Sequence, residues 1–120
     1  MKWNTNMPLI GILRGITPAE VHDHVAALLD AGFDAVEIPL NSPQWEVSIA
    51  QTVAEFGHRA LIGAGTVLKP EQLDVLHSMG SKLVVTPNTQ PAVIRRAVEL
   101  GMTVCAGCAT ASEAFTALDA

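Results

Sequence analysis

Amphipathic segments that stop at a glycine and are followed by a short apolar run recur along this chain. This repeat constrains the fold more than any other feature. The glycines are Gly32 in Asp30-Ala-Gly-Phe-Asp34, Gly57 in Glu55-Phe-Gly-His58, Gly80 in Ser78-Met-Gly-Ser81 and Gly101 in Glu99-Leu-Gly-Met102. Glycine enters the left-handed backbone region at little steric cost, so each reads as a helix end. The apolar, extended runs cover residues 9–13, 35–40, 61–67, 83–86 and 103–105. A spacing of roughly twenty-odd residues suits one strand and one helix per repeat. Helix starts agree with the ends. Thr17-Pro18-Ala19-Glu20 reads as a capping box, and Thr110-Ala-Ser-Glu113 as a second one. Ser42-Pro43 and Lys69-Pro70 place proline where a first helical turn accepts it.

The order is therefore β-α five times without a hairpin signal, which requires a parallel sheet with right-handed crossovers. Helix one is expected to bury Val21, Val25, Leu28 and Leu29, helix three Leu73, Leu76 and Met79, and helix four Val93, Ile94 and Ala97. Two closures fit, an open doubly wound sheet or a (β/α)8 barrel. A dinucleotide-binding sheet carries Gly-x-Gly-x-x-Gly in its first turn. Here that turn is Leu13-Arg-Gly-Ile-Thr17, and Gly63-Ala-Gly65 lacks the third glycine. The barrel is favoured, with residues 1–120 as a single, partial barrel domain holding strands one to five and their helices.

Charge and composition exclude several partner classes. A formal net charge of -5 argues against nucleic acid, which needs a basic face. No apolar run is long enough for a membrane span, and the opening residues 1–8 do not read as a signal peptide. Two cysteines without an export signal point to a reducing cytoplasm. Cys105-Ala-Gly-Cys108 has half-site spacing for redox or zinc chemistry, but without a second pair free thiols at a strand end are expected. His22 and His24 fall on different helix faces and make poor joint ligands, so with His58 and His77 they are expected in solvent. Arg95-Arg96 reads as an exposed helix surface. No metal and no cofactor are expected.

The chemistry concentrates in Ala35-Val-Glu-Ile-Pro-Leu-Asn-Ser42, where both sides of a strand are mostly apolar. A carboxylate in such a run must be paired, hydrogen-bonded or neutralised. Glu37 is thus either a structural acid paired with Arg14 across adjacent strands or a working acid. Ligands bind at the carboxyl ends of the strands in either closure. That end carries Arg14, Glu37, Asn41, Ser42, Thr66, Thr86, Asn88 and Thr110, a set able to hold a small oxygen-rich anion.

Ile10-Gly-Ile-Leu-Arg-Gly15, the Glu37 stretch, Ile62-Gly-Ala-Gly-Thr-Val-Leu68 and Val85-Thr-Pro-Asn88 together resemble the 2-keto-3-deoxy-6-phosphosugar-acid aldolases, in order along the chain. Gluconate-type members carry Thr-Leu-Arg-Thr after the strand-two glutamate. Pro39-Leu-Asn-Ser42-Pro-Gln-Trp45 resembles the galactonate-type branch instead. The resemblance implies a class I (β/α)8 lyase that cleaves a phosphorylated keto acid to pyruvate and glyceraldehyde 3-phosphate through a lysine Schiff base. It implies Glu37 as general acid/base, Arg14 and Thr66 as ligands of the substrate's carboxylate and oxygens, and a homo-oligomer, commonly a trimer.

The family's Schiff-base lysine lies on strand six, which the sequence is not expected to contain. Of the lysines present, Lys2 falls in the leading segment, Lys82 enters strand four from the wrong end, and Lys69 precedes Pro70 in the third loop. Two rival readings follow. One is an inactive barrel fragment whose open edges at strands one and five invite self-association. The other is a related phosphate-binding barrel enzyme, such as a gluconate-type or 4-hydroxy-2-oxoglutarate aldolase.

Overall fold

The computed structural model describes residues 5–120, so Lys2 and the first part of the leading segment lie outside the described residues. Strands and helices alternate throughout: β1 (Gly11–Ile12), α1 (Pro18–Asp30), β2 (Ala35–Pro39), α2 (Trp45–Phe56), β3 (Leu61–Gly65), α3 (Pro70–Ser78), β4 (Leu83–Thr86), α4 (Pro91–Glu99), β5 (Thr103–Ala106) and α5 (Ala111–Leu118). Neighbouring strands are all parallel, in the order β1-β2-β3-β4-β5. A doubly wound sheet reverses its order at a switch point, whereas a barrel lays each strand beside the last. The sequential order is barrel winding, and the chain forms five βα units of that α/β architecture.

Strand alternation sorts the two faces of the sheet. Val36 and Ile38 of β2 and Ile62 and Ala64 of β3 join the helix-side core with Val21, Val25, Ile49, Leu73 and Leu76. Ala35, Glu37 and Pro39 point to the opposite, inner face, with Glu37 in register between Ile12 and Gly63. The helix positions expected in the core are there. Val21, Val25, Leu73, Leu76, Val93, Ile94 and Ala97 are buried, while Leu28, Leu29 and Met79 are half-buried against them.

Several local expectations are corrected. β1 is shorter than residues 9–13 because it pairs on one side only, although the Leu13 N–H still donates to the Glu37 carbonyl at 3.0 Å. β3 stops at Gly65 because Thr66 turns into the left-handed region at φ 54°. Ser42-Pro43 does not start α2, which begins at Trp45 after a left-handed Gln44. The Ser42 hydroxyl is instead used between loops, accepting from the Gly15 N–H at 3.0 Å. Gly32, Gly80 and Gly101 are left-handed as expected, at φ 101°, 82° and 70°. Gly57 is not. It stays right-handed at φ -61°, and a side chain there would crowd the Val53 carbonyl.

Both reciprocal bonds form at the Thr110 box, while at the Thr17 box the threonine hydroxyl donates to Glu20 Oε2 at 2.7 Å and does not cap the helix backbone. Glu20 accepts from the Thr17 N–H at 3.1 Å, and Thr110 accepts from the Glu113 N–H at 3.2 Å. Proline opens α3 directly after Lys69. Among the described residues no helix is long and apolar enough to cross a membrane.

Candidate active site

Three loops and one strand assemble the site. β2 delivers Glu37, the turn after β1 delivers Arg14, the turn after β2 delivers Asn41, and the residue after β3 is Thr66. Glu37 is 3% exposed, and its Oε2 has no hydrogen-bond partner. Burial pushes its carboxyl up to about 7, against a downward pull from the Arg14 charge. A carboxyl group in that range can both take up and release a proton near neutrality.

The neighbouring strand is shaped to receive it. A Cβ on Gly65 would overlap the Glu37 carboxyl carbon and both its oxygens. Glycine at 65 is therefore the footprint of the acid rather than a turn device. Gly63 answers a different constraint, since a Cβ there would run into the Leu83 carbonyl of β4. The motif Gly63-Ala-Gly65 thus packs β3 close to β4 and leaves room for Glu37.

Arg14 does not pair with Glu37: the ion pairs among the described residues leave this one out. Its Nη1 donates to Asn41 Oδ1 at 2.9 Å, and its Nη2 lies 3.5 Å from Thr66 Oγ1. The cross-strand structural acid considered from the sequence is not formed. Thr66 holds its place in a left-handed conformation that costs a non-glycine residue roughly 1–3 kcal/mol and gathers at functional sites. Glu37, Arg14, Asn41 and Thr66 are brought together.

Other members of the expected ring have structural work. Thr86 Oγ1 donates to the Asn88 carbonyl at 2.8 Å and accepts from the Gly107 N–H at 3.3 Å, and Thr110 caps α5. Lys69 is exposed at the start of α3, and Lys82 is exposed at the amino end of β4. Neither carries the desolvation that makes a lysine nucleophilic at neutral pH.

Away from the site, both cysteines are free, and burial pushes the Cys105 thiol up. His22 is not simply solvated. Its Nδ1 lies 2.5 Å from Glu55 Oε2, which raises its pKa, and its ring packs 5.5 Å from that of Phe56. Arg96 is likewise engaged, with Asp74 at 2.5 Å and Glu99 at 3.0 Å, while Arg95 is exposed. Among the described residues no group of His, Cys, Asp and Glu could hold a metal ion.

A sequentially wound parallel βα array with a lone buried carboxyl and a nearby arginine at the carboxyl ends of its strands defines a barrel-type protein built to handle a proton. Comparison with known proteins narrows that class. The family model "KDPG and KHG aldolase" matches residues 2–120, and the chain belongs to this family. It is 69% identical over 120 residues to the 2-dehydro-3-deoxy-6-phosphogalactonate aldolase of Escherichia coli K12 and spans 58% of that protein's length. It is 48% identical over 110 residues, 92% of the chain, to a probable 2-dehydro-3-deoxy-6-phosphogalactonate aldolase of Rhizobium meliloti, covering 52% of it. A solved native KDPGal structure superposes with a TM-score of 0.97 at 69% identity, covering 99% of this chain and 58% of that one.

Sequence reasoning singled out Glu37, Arg14 and Thr66, which the fold brings together, but assigned Asn41 only to a general ring and Gly65 only to backbone approach. Nothing local marks either role, because each is defined by a partner on another strand or loop.

Proposed function

We propose that this chain supplies the acid–base part of a class I aldolase that cleaves 2-dehydro-3-deoxy-6-phosphogalactonate to pyruvate and glyceraldehyde 3-phosphate. The observation that carries this is the buried, unpartnered Glu37 carboxyl lying over Gly65 beside an arginine that leaves it unpaired. In this reading Arg14 and Thr66 hold the substrate's carboxylate and oxygens, a planar guanidinium being suited to a carboxylate. A Schiff base on a lysine outside these 120 residues accepts the C3–C4 bonding electrons. Glu37 takes the C4 hydroxyl proton as the aldehyde leaves, then returns a proton to C3 of the enamine to complete the methyl group of pyruvate. Residues 1–120 belong to one barrel domain of a cytoplasmic homo-oligomer, a trimer by family resemblance, that uses no cofactor and no metal.

Pyruvate release from 2-dehydro-3-deoxy-6-phosphogalactonate tests this in a protein that carries the sequence together with a strand-six lysine. Glu37→Gln is expected to lower kcat by about 100-fold or more, the usual scale of general acid–base catalysis. Unchanged turnover would remove Glu37 from the mechanism. The 120-residue chain alone, treated with pyruvate and borohydride, is expected to show no reduced adduct by intact mass. A stoichiometric adduct would move the nucleophile onto this chain, with Lys69 the first to map.

A further inference from the structure

Glu37 and Arg14 are close enough that their separation needs a cause. The Glu37 carboxyl lies against Gly65, and the Arg14 guanidinium reaches the very next residue, Thr66. Two opposite charges so placed, one of them buried without a hydrogen-bond partner, would ordinarily meet. The short contact on Arg14 is made elsewhere: Nη1 donates to Asn41 Oδ1 at 2.9 Å, against 3.5 Å between Nη2 and Thr66 Oγ1. Asn41 is an exposed loop residue, so this bond is not forced by core packing. Its loop is held in place independently. The next residue, Ser42, is buried, and its hydroxyl accepts from the N–H of Gly15, the residue after Arg14. One tie between the two loops thus aligns the backbones, and a second aligns the side chains.

We infer that Asn41 is a positioning residue, whose amide oxygen holds the Arg14 guanidinium at the mouth of the site, free for an incoming carboxylate and off Glu37. The inference rests on the acid–base reading of Glu37 and adds the device that keeps that acid unpaired. A neutral acceptor suits the task, since it orients the guanidinium by one hydrogen bond and leaves the cation's charge unneutralised for an anionic ligand. Arg14 is the charged group that bears on Glu37, and the adjacent strand β3 contributes Gly63 and Gly65, which carry no charge. Burial raises the acid's pKa, and the arginine's position decides how far its charge pulls that back down.

The test is direct titration of Glu37 by carboxyl carbon NMR on the folded 120-residue chain, which needs no turnover. In Asn41→Ala the guanidinium is released onto Glu37, and the carboxyl's titration midpoint should fall by about 1 or more, the usual effect of a neighbouring arginine. Asn41→Asp keeps an acceptor at the same place and should leave Glu37 titrating no lower than in the parent. In an Arg14→Gln background, Asn41→Ala should change nothing. An unshifted Glu37 in Asn41→Ala, a fall in Asn41→Asp, or a shift that persists without Arg14 would each overturn the assignment. If a protein carrying this sequence with the strand-six lysine fails to release pyruvate while these titrations behave as expected, the aldolase reading is wrong and the positioning role stands.

Discussion

Two regions of this sheet, around β2 and around β5, are packed differently. Every residue of β2 is buried, and the helices around it, α1 and α2, bury Val21, Val25, Ile49 and Phe56. Every residue of β5 is only half-buried, and α5 buries none. Phe115 and Leu118 of α5 are 68% and 79% exposed, and an open apolar groove lined by Ile94, Val98, Val104 and Leu118 runs between α4, β5 and α5. The reason is position, not composition. β2 has a strand on each side and helices over one face, whereas β5 has β4 alone. The site sits in the well-packed region, where a carboxyl group can be kept from water. Desolvation of Glu37 is thus a product of the packing density around β2 and β3.

Substitutions can break this contrast in order of expected size. Ile38→Ala removes a fully buried side chain beneath the site and should cost about 2–5 kcal/mol in urea or guanidinium unfolding, from lost transfer energy plus a cavity. A loss under 1 kcal/mol would mean that the β2 region is less rigid than its burial implies.

Glu37→Gln should act in the opposite direction. Folding raises the Glu37 pKa from 4.5 to about 7, so the folded chain holds the proton more firmly than the unfolded one. Stability from this group is intact below the lower value, falls as pH rises between the two, and levels off above about 7. Removing the charge should therefore stabilise the chain by roughly 3 kcal/mol above the upper value and by almost nothing below the lower one. A Glu37→Gln stability gain that does not grow with pH would show that the acid is not strained by burial.

At the β5 end the effects should be smaller and local. Thr110→Ala deletes a side-chain cap and should cost about 1 kcal/mol, read as faster hydrogen exchange in α5 with β2 unchanged. Protection lost equally in β2 would mean that the two ends unfold as one unit. Leu118→Ala should stay within about 0.5 kcal/mol of the parent, since the side chain has little contact to lose. A larger loss would mean that the groove is covered in solution.

Much of this molecule could be read before its structure. The alternation of apolar runs and glycine-ended helices gave the five βα units, because amphipathic period, caps and helix stops are properties of neighbouring residues. The buried helix positions from Val21 to Ala97 followed from the same periodicity. Glu37 stood out for the same kind of reason, as a charge in a strand apolar on both faces. Local signals also misled where a tertiary contact competed. Ser42 has the chemistry of a helix cap, yet its hydroxyl serves Gly15, 27 residues away in the chain.

What only the tertiary structure decided is the company each site residue keeps. Arg14 meets Asn41 across 27 residues and Thr66 across 52, and Gly65 is a glycine because a carboxyl from β2 occupies the space its side chain would fill. Such pairings depend on register and loop path, which no short window of sequence contains. The sequence by itself determined that a barrel-type array would carry an acid within β2. The fold decided that this acid is buried and that the nearest cation bonds Asn41 and not the carboxyl, because desolvation and cation placement both come from residues distant in the chain.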